Sequence, residues 1–271
     1  MNIILTGANG NLGQHIQKLN ERNKAFTSIF PLVRDNWDSL TNLDYKKVDA
    51  IIHTASDIHA DIFSKPDEVL ESNVMITAKL LRLCKEKNIK KFVFISSCSV
   101  YGELSNSAEE KPIQPITLNG FTKAFNEELI TAFCKKNNIR YLILRVFNSF
   151  GGDDKFSVLF KILRSAKQGT PFVLQNGGLA ERDFIHVEDV AELTQKLTLM
   201  KLEDECINVG SGKAVKIIDL VNFVEKKFGM LNKVEGENPN ETSYSVANVK
   251  KINRLIEFKP RDIFAFIDSL S

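Results

Sequence analysis

Three glycines, each three residues after the last, follow the first apolar run and constrain the fold of the chain most strongly. The stretch ILTGANGNLG places Gly7, Gly10 and Gly13 between an apolar segment and a helical pattern. Glycines at such a junction allow a tight turn, close approach of the backbone to a pyrophosphate and close packing of helix on strand. The N-terminus of the helix adds N–H donors and a partial positive charge. The motif therefore predicts a strand–turn–helix unit that binds a dinucleotide, with an ordinary turn as the alternative.

The end of the second strand should contact the adenosine ribose of such a dinucleotide. This strand ends in LVRD, where Arg34 would suit a 2′-phosphate and Asp35 a free 2′-hydroxyl. Because Arg34 comes first after the apolar residues, the sequence favours NADP over NAD. A solvated Arg–Asp pair at a strand end is the alternative interpretation.

Strands alternate with helices along the first half of the chain. Apolar runs typical of buried strands and amphipathic helical patterns succeed one another, and a weaker strand that contains Pro31 suits a sheet edge. The predicted strands are 2–7, 28–34, 49–55, 91–97 and 140–147, and the predicted helices are 67–87 and 121–136. This alternation predicts an α/β fold, a Rossmann-type doubly wound parallel sheet.

The rhythm changes after residue 150. A helical stretch, KFSVLFKILRSAKQG, is followed by a turn at NGG, a strand that flows into a helix in RDFIHVEDVAEL, and a further strand in ECINVGSG. We expect a dinucleotide-binding domain over 1–150 with a return segment at 180–205. A smaller substrate-binding lobe, woven into the first domain, should account for about 151–179 and 206–271.

Charge and cysteine content exclude several function classes. The chain has 271 residues, with 36 basic and 34 acidic side chains interspersed, which argues against a nucleic-acid-binding surface. The four cysteines are widely spaced, so neither a disulfide framework nor a zinc site is expected, and a reducing cytoplasm is the default. The apolar run after Met1 is too short for a signal peptide or a membrane span. We expect a cytoplasmic protein with no metal and no membrane partner.

Six segments in order resemble the extended short-chain dehydrogenase/reductase family, and within it the NAD-dependent epimerase/dehydratase group that acts on nucleotide sugars. The resemblance extends over nearly the whole chain. The segments are TGANGNLG, VDAIIHTAS, ESNVMITAKLL, FVFISSCSVYG, RVFNSFGG and ERDFIHVEDVAEL. The resemblance implies an NAD- or NADP-dependent enzyme with a nucleotide-diphosphate sugar as its substrate.

The resemblance also implies roles for the matching residues. In the cofactor half it implies contacts from the glycine loop, the end of the strand 49–55 and the nicotinamide side. These residues are Gly7, Gly10, Asn11, Leu12, Gly13, Thr54, Ala55, Ser56, Asn73, Lys123 and Phe147. In the substrate half, Asn148 and Arg182 are implied to hold the sugar diphosphate. The family commonly dimerises through the helices that match 67–87 and 121–136, so we expect a homodimer, although packing on the sheet also explains their apolar faces.

Several of these residues have structural alternatives. The resemblance implies that Ser97, four positions before Tyr101, is the active-site serine, but it could also be an ordinary serine at a strand end. Arg182 could be a surface salt-bridge partner. His53 and His186 lie in apolar segments and are better explained as core histidines. Cys98 is better explained as a small buried residue than as a nucleophile, because nothing in the sequence indicates a lowered pKa.

The family tyrosine that moves a proton is missing. It should stand four residues before Lys123, where this chain has Asn119, and no Tyr-x-x-x-Lys occurs anywhere in the sequence. An amide is not a usable acid or base near neutrality. General acid–base catalysis contributes roughly 10²–10⁴ in rate, so its loss weakens an enzyme without necessarily abolishing it. The catalytic candidates are Ser97, Asn119 and Lys123.

The reaction type can be narrowed. The 4,6-dehydratases of the family carry an Asp-Glu pair where this chain has Cys98 and Ser99, so that dehydration is disfavoured. A reductase that works in one direction tolerates a poor acid better than an epimerase, which must return the hydride. We therefore expect a 4-ketoreductase of a nucleotide-linked keto-sugar. A nucleotide-sugar 4-epimerase and a catalytically silent protein that binds dinucleotide and nucleotide sugar are the alternatives.

Overall fold

A parallel six-stranded sheet forms the centre of the protein. The computed structural model describes residues 1–33, 44–56, 65–103, 107–239 and 241–270. The strand order is β10-β5-β4-β3-β1-β2, and every neighbouring pair is parallel. The strands are β1 (Asn2–Thr6), β2 (Ser28–Leu32), β3 (Ala50–His53), β4 (Lys91–Ser97), β5 (Arg140–Val146) and β10 (Glu205–Val209). The five strands predicted before residue 150 are confirmed, and Pro31 lies in an edge strand as expected.

Helices cover both faces of this sheet. Successive side chains of a strand point to opposite sides, so each strand places apolar residues on both faces, and the helices bury them. Ile3 and Leu5 of β1 pack in one buried cluster with residues of α1 and α6. Ile4, between them, packs in a second cluster with residues of α3 and α4. The helices are α1 (Asn11–Asn23), α3 (Ile76–Lys87), α4 (Leu118–Asn137) and α6 (Val187–Leu199). The doubly wound Rossmann architecture is thus confirmed.

The predicted helix 67–87 is interrupted. It consists of α2 (Pro66–Leu70), a π-helical stretch over Glu71–Met75, and α3. A π-turn inserts an extra residue into the helical register and so changes which side chains face inward. In this region Asn73 is buried, whereas Leu70 is exposed.

A second lobe packs beside the carboxyl ends of the strands. Its core contains Phe150, Ile162, Phe172, Leu220 and Ile267. The remaining helices are α5 (Val158–Gln168), α7 (Ile217–Phe228), α8 (Lys250–Leu255) and α9 (Ile263–Ser269). The remaining strands are β6 (Asn148–Phe150), β7 (Phe172–Gln175), β8 (Glu181–Arg182), β9 (Phe184–His186), β11 (Val215–Lys216), β12 (Lys233–Gly236) and β13 (Tyr244–Ser245).

The return of the chain to the sheet is longer than the predicted segment 180–205. Strand β10 pairs with β5 along Glu205–Val209, and Ile252 of α8 packs in the same buried cluster as Ile207 and Val209. The predicted smaller lobe begins again at residue 206 and so includes all of these residues except Glu205. Their apolar pattern suits either location, and the pairing with β5 decides between them.

Within the described ranges, none of the helices combines the length and the apolar character needed to cross a membrane. All four cysteines are free thiols.

Candidate active site

The glycine loop has the geometry of a phosphate-binding turn. Gly7 has φ +64°, and a Cβ there would lie 2.6 Å from Thr54 Oγ1 and 2.8 Å from the Ala55 nitrogen. A Cβ on Gly13 would lie 2.3 Å from the Gly7 oxygen, so this glycine lets α1 pack on the turn. Gly10 precedes the helix without any side-chain cap. The first N–H groups of α1 are therefore available to an anion, and the loop fits a dinucleotide.

A single cavity of about 1070 Å³ opens beside this loop and brings most of the predicted site residues together. Thr54, Ser97 and Phe147 stand at or directly after the carboxyl ends of β3, β4 and β5, where ligands of open α/β sheets bind. The predicted residues that line the cavity are Gly7, Gly10, Asn11, Leu12, Gly13, Thr54, Ala55, Ser56, Ser97, Asn119, Lys123, Phe147, Asn148 and Arg182.

Among the described residues, one predicted cofactor residue, Asn73, does not line the cavity. Asn73 is 4% exposed and lies behind the wall, where its Oδ1 accepts a hydrogen bond from Ser56 Oγ at 3.4 Å. Asn126 Nδ2 donates to the Asn73 carbonyl oxygen at 2.7 Å. Asn73 therefore supports the wall through Ser56. Arg34, like Asp35, lies outside the described residues.

Asn11 joins the glycine loop to the second lobe. Its Nδ2 donates to the Gly151 oxygen at 2.9 Å, and its Oδ1 accepts from the Asp153 nitrogen at 3.0 Å. The side chain thus fixes the chain after β6 against the start of α1, so that both contribute to one cavity.

Lys123 is held inside the cavity wall. Its Nζ donates to the Ile95 carbonyl oxygen at 2.8 Å and lies 4.8 Å from the centre of the Phe94 ring. Burial lowers the pKa of Lys123 to about 8, against the opposing effect of Glu127. An ammonium group with such a pKa can give up its proton near neutral pH.

Asn119 lies one helical turn before Lys123, in the first turn of α4. Thr117 caps this helix, since its Oγ1 accepts from the Gly120 nitrogen at 3.1 Å. A Cβ on Gly120 would lie 2.5 Å from the Ser99 carbonyl oxygen, so this glycine lets the helix approach the residues after β4. Asn119 Nδ2 donates to Ser99 Oγ at 3.3 Å, and Ser99 Oγ donates to Ser97 Oγ at 2.9 Å.

Arg182 and Asn148 line another part of the cavity. Arg182 lines the cavity, and its side chain is 14% exposed and lies 3.5 Å from Glu241 Oε1. Burial lowers the pKa of Arg182, while Glu241 raises it. Asn148 Nδ2 donates to the Asp183 carbonyl oxygen at 2.8 Å. Arg182 is therefore a partly buried cation on the cavity wall, unlike an ordinary surface residue.

Three further cations line the cavity and escaped the sequence analysis. Lys155 precedes α5, and Lys161 and Arg164 stand three residues apart on that helix, a spacing that places them on one face. This spacing was the available signal. It could not show which face of α5 meets the cavity.

The expectation of core histidines fits the structure, whereas Cys98, which was expected to be buried, is partly exposed and lines the cavity. His53 is fully buried and hydrogen-bonded to Thr6 Oγ1 at 2.8 Å and to Thr77 Oγ1 at 3.0 Å. Burial, followed by the charge of Lys123, lowers the pKa of His53 to about 3. His186 is buried against Phe150. Burial raises the pKa of the Cys98 thiol, which disfavours a thiolate nucleophile.

Comparisons with known proteins match a family model to most of the chain. The model of the family described as "NAD dependent epimerase/dehydratase family" matches residues 3–210. UDP-glucose 4-epimerase 2 of Arabidopsis thaliana is 27% identical over 80% of this chain and 70% of its own length. A trifunctional UDP-glucose 4,6-dehydratase/UDP-4-keto-6-deoxy-D-glucose 3,5-epimerase/UDP-4-keto-L-rhamnose-reductase of the same plant is 25% identical over 84% of this chain and 40% of its own.

Among solved structures, the fold is similar to that of a UDP-glucuronic acid 4-epimerase from Bacillus cereus in complex with UDP-glucuronic acid and NAD. The TM-score is 0.86 at 24% identity, covering 99% of this chain and 97% of that one.

Proposed function

The chain belongs to the NAD dependent epimerase/dehydratase family, and we propose that it reduces the 4-keto group of a nucleotide-linked sugar with a nicotinamide cofactor. The observation that supports reduction is the arrangement of Ser97, Asn119 and Lys123 at the reacting end of the cavity. It combines hydroxyl and amide hydrogen-bond donors with a buried ammonium group of depressed pKa. Such groups suit a substrate oxygen that receives a proton, as in reduction of a ketone. They suit less well an oxygen that loses a proton, as in oxidation of an alcohol.

The cavity wall suits the cofactor. The N–H groups at the start of α1 would hold the pyrophosphate, and Gly7 and Gly13 let the turn pack closely on the end of β3 and on α1, which forms this site. Thr54, Ala55 and Ser56 would form the adjoining wall. When bound, the reduced nicotinamide supplies the hydride. Our proposal of NADP rather than NAD depends on Arg34 and is tested by comparing NADPH with NADH as the reductant.

The residues of the chain then manage the oxygen of the substrate. Ser97 Oγ donates a hydrogen bond to the carbonyl oxygen and so stabilises the negative charge that develops there. The Lys123 ammonium passes a proton to that oxygen, directly or through a water, and is reprotonated from solvent. Ketone, hydride and proton together give the alcohol, so the reaction balances.

Epimerisation at C4 is the second candidate, because a relative in the comparisons is named as a UDP-glucose 4-epimerase. An epimerase must first take the proton from a hydroxyl group and later return it. Lys123 would have to act as the base in the first step and as the acid in the second, whereas a reductase needs it only as the acid. This makes a single-direction reduction the better fit to the site.

The nucleotide-sugar diphosphate would be held at the substrate end. Arg182 offers a partly buried guanidinium, which pairs well with phosphate oxygens. The substrate lobe over most of 151–271 would supply the remaining contacts. Asn148 borders the same part of the cavity and would donate to the diphosphate after exchanging its bond to Asp183.

A second copy of the chain is the proposed partner. Phe121 and Phe125 on α4 are 54% and 56% exposed, and Leu70 and Met75 are exposed on the adjoining helical segment. Large exposed apolar side chains on neighbouring helices suit a helical dimer interface. Sedimentation of the wild type and of Phe121→Asp, which should be monomeric, tests this.

The function is tested by incubating the protein with NADH or NADPH and UDP-4-keto-6-deoxyglucose or its dTDP analogue. Cofactor absorbance and product mass report reduction, and Ser97→Ala should lower it. Binding of both ligands without turnover would identify a silent binding protein. Interconversion of UDP-glucose and its C4 epimer in a parallel incubation with NAD, without net reduction of the cofactor, would identify an epimerase.

A further inference from the structure

We propose that Ser99 is a positioning residue for Ser97. Its hydroxyl accepts a hydrogen bond from Asn119 and donates one to Ser97, and this orients the Ser97 hydroxyl as a donor to the sugar C4 oxygen. The inference rests on the proposed function, since it assumes that this oxygen lies at Ser97. It concerns a residue to which the sequence analysis gave no role.

The geometry is a chain of three polar groups across the start of α4. Asn119 Nδ2 donates to Ser99 Oγ at 3.3 Å, and Ser99 Oγ donates to Ser97 Oγ at 2.9 Å. The Ser99 backbone nitrogen also donates to Ser97 Oγ, at 3.1 Å. Ser99 therefore contacts Ser97 twice, through its backbone and through its hydroxyl.

The numbers of donors and acceptors on each side chain fix the direction in which these hydrogen bonds run. A serine hydroxyl has one hydrogen to donate and two acceptor positions. On Ser97 both acceptor positions are filled by Ser99, so its own hydrogen is left to donate, and the Cys98 thiol lies within hydrogen-bonding reach of it. Its neighbour Cys98 is only a weak acceptor as a thiol, whereas a ketone or alkoxide oxygen is a strong one. Aligned hydrogen bonds polarise one another, so this chain should strengthen Ser97 as a donor.

Asn119 acts on this chain through its nitrogen. Its Oδ1 is buried and has no hydrogen-bond partner among the described residues, so it is shielded from the cavity. If residue 119 offered Ser99 an acceptor in place of this donor, the hydrogen bonds among the three residues would run in the opposite direction. Ser99 would donate to it, and Ser97 would turn to donate to Ser99.

Two serine variants test the relay. Ser99→Ala should lower kcat for UDP-4-keto-6-deoxyglucose on the order of 10-fold, less than the roughly 10²–10³ typical of a donor that itself contacts the oxygen. Ser99→Thr keeps the hydroxyl and should retain wild-type kcat within about 3-fold, by the same reasoning. Equal losses in both variants, or no loss in either, would overturn the proposal.

Substitutions at residue 119 test the direction of the hydrogen bonds from Asn119 through Ser99 to Ser97. In Asn119→Asp the ionised carboxylate accepts from Ser99, so this variant should be slower than Asn119→Ala above the carboxyl pKa. Below that pKa the protonated carboxyl can donate, and activity should recover. An Asn119→Asp variant that matches Asn119→Ala at every pH would contradict the proposed direction.

A binding measurement separates this inference from the reductase proposal. By calorimetry, Ser99→Ala should weaken UDP-4-keto-6-deoxyglucose several-fold and leave UDP, which lacks the sugar, unchanged. This result stands even if the wild type does not reduce the ketone, in which case the reductase proposal alone fails. Equal effects on both ligands, or failure of the wild type to bind the keto-sugar more tightly than UDP, would overturn the role of Ser99. Thermal unfolding of each variant confirms that it folds.

Discussion

The Lys123 ammonium group donates to the Ile95 carbonyl oxygen across 2.8 Å, two residues before Ser97 on the same strand. This bond connects the first half of α4 to the carboxyl end of β4. It sets the ammonium group and the Ser97 hydroxyl beside the same cavity. The proposed chemistry depends on this pairing, because one group would stabilise the substrate oxygen and the other would protonate it.

Replacing Lys123 by methionine should lower turnover of a 4-keto sugar by roughly 10²–10⁴, the range for losing a general acid. Methionine keeps most of the buried volume, so folding should survive. Lys91→Met is the matched control, because Lys91 is also buried, donates to the Thr198 and Met200 carbonyls and has a pKa lowered to about 8. Lys91 does not line the cavity. Steady-state kinetics below the unfolding temperature should show a loss in the first variant only; equal losses would assign Lys123 a structural role.

Turnover should fall as the pH rises through about 8, because Lys123 must be protonated to act as the acid. Burial depresses its pKa to that value from the ordinary value of lysine. A pH profile of kcat, taken with the keto-sugar and cofactor saturating, measures this. A rate that is flat or rises across that interval would exclude the Lys123 ammonium as the proton donor.

Changing Asn119 to tyrosine should raise turnover, by as much as the roughly 10²–10⁴ that a general acid contributes. The change restores a phenol one helical turn from Lys123, whose positive charge would favour the phenolate form. Asn119→Phe is the control for ring size without a proton. If both variants lose activity alike, the space at the start of α4 is too small for a ring, and the wild-type site is specialised for the amide.

Cofactor binding should disappear in Gly7→Ala. A Cβ there would meet Thr54 Oγ1 and the Ala55 nitrogen, and the residue has φ +64°. Gly169→Ala is a matched control, because Gly169 has φ +66° but nothing within 4 Å of its added Cβ. Both variants should be less stable for backbone reasons, but only Gly7→Ala should lose affinity for the dinucleotide in a fluorescence titration. Full affinity in Gly7→Ala would place the cofactor elsewhere.

Local patterns in the sequence were sufficient for the strands, the glycine loop and most of the site. Gly7, Thr54, Ser97 and Phe147 follow apolar runs, and parallel strands bring their carboxyl ends to one edge. Contacts between residues that are far apart in the sequence could not be predicted from these local patterns. The bond between Ser99 and Asn119 spans a loop, the pairing of Glu205–Val209 with β5 needs the whole sheet, and the π-turn that buries Asn73 has no signature in a helical pattern.

The central claim is that a site with Asn119 in place of tyrosine still reduces a ketone. It is tested most directly by mixing the wild-type protein with reduced cofactor and UDP-4-keto-6-deoxyglucose, and by measuring cofactor oxidation together with product mass. We predict oxidation matched mole for mole by a sugar that has gained two hydrogens. Tight binding of both ligands with no oxidation, even after long incubation, would contradict the claim.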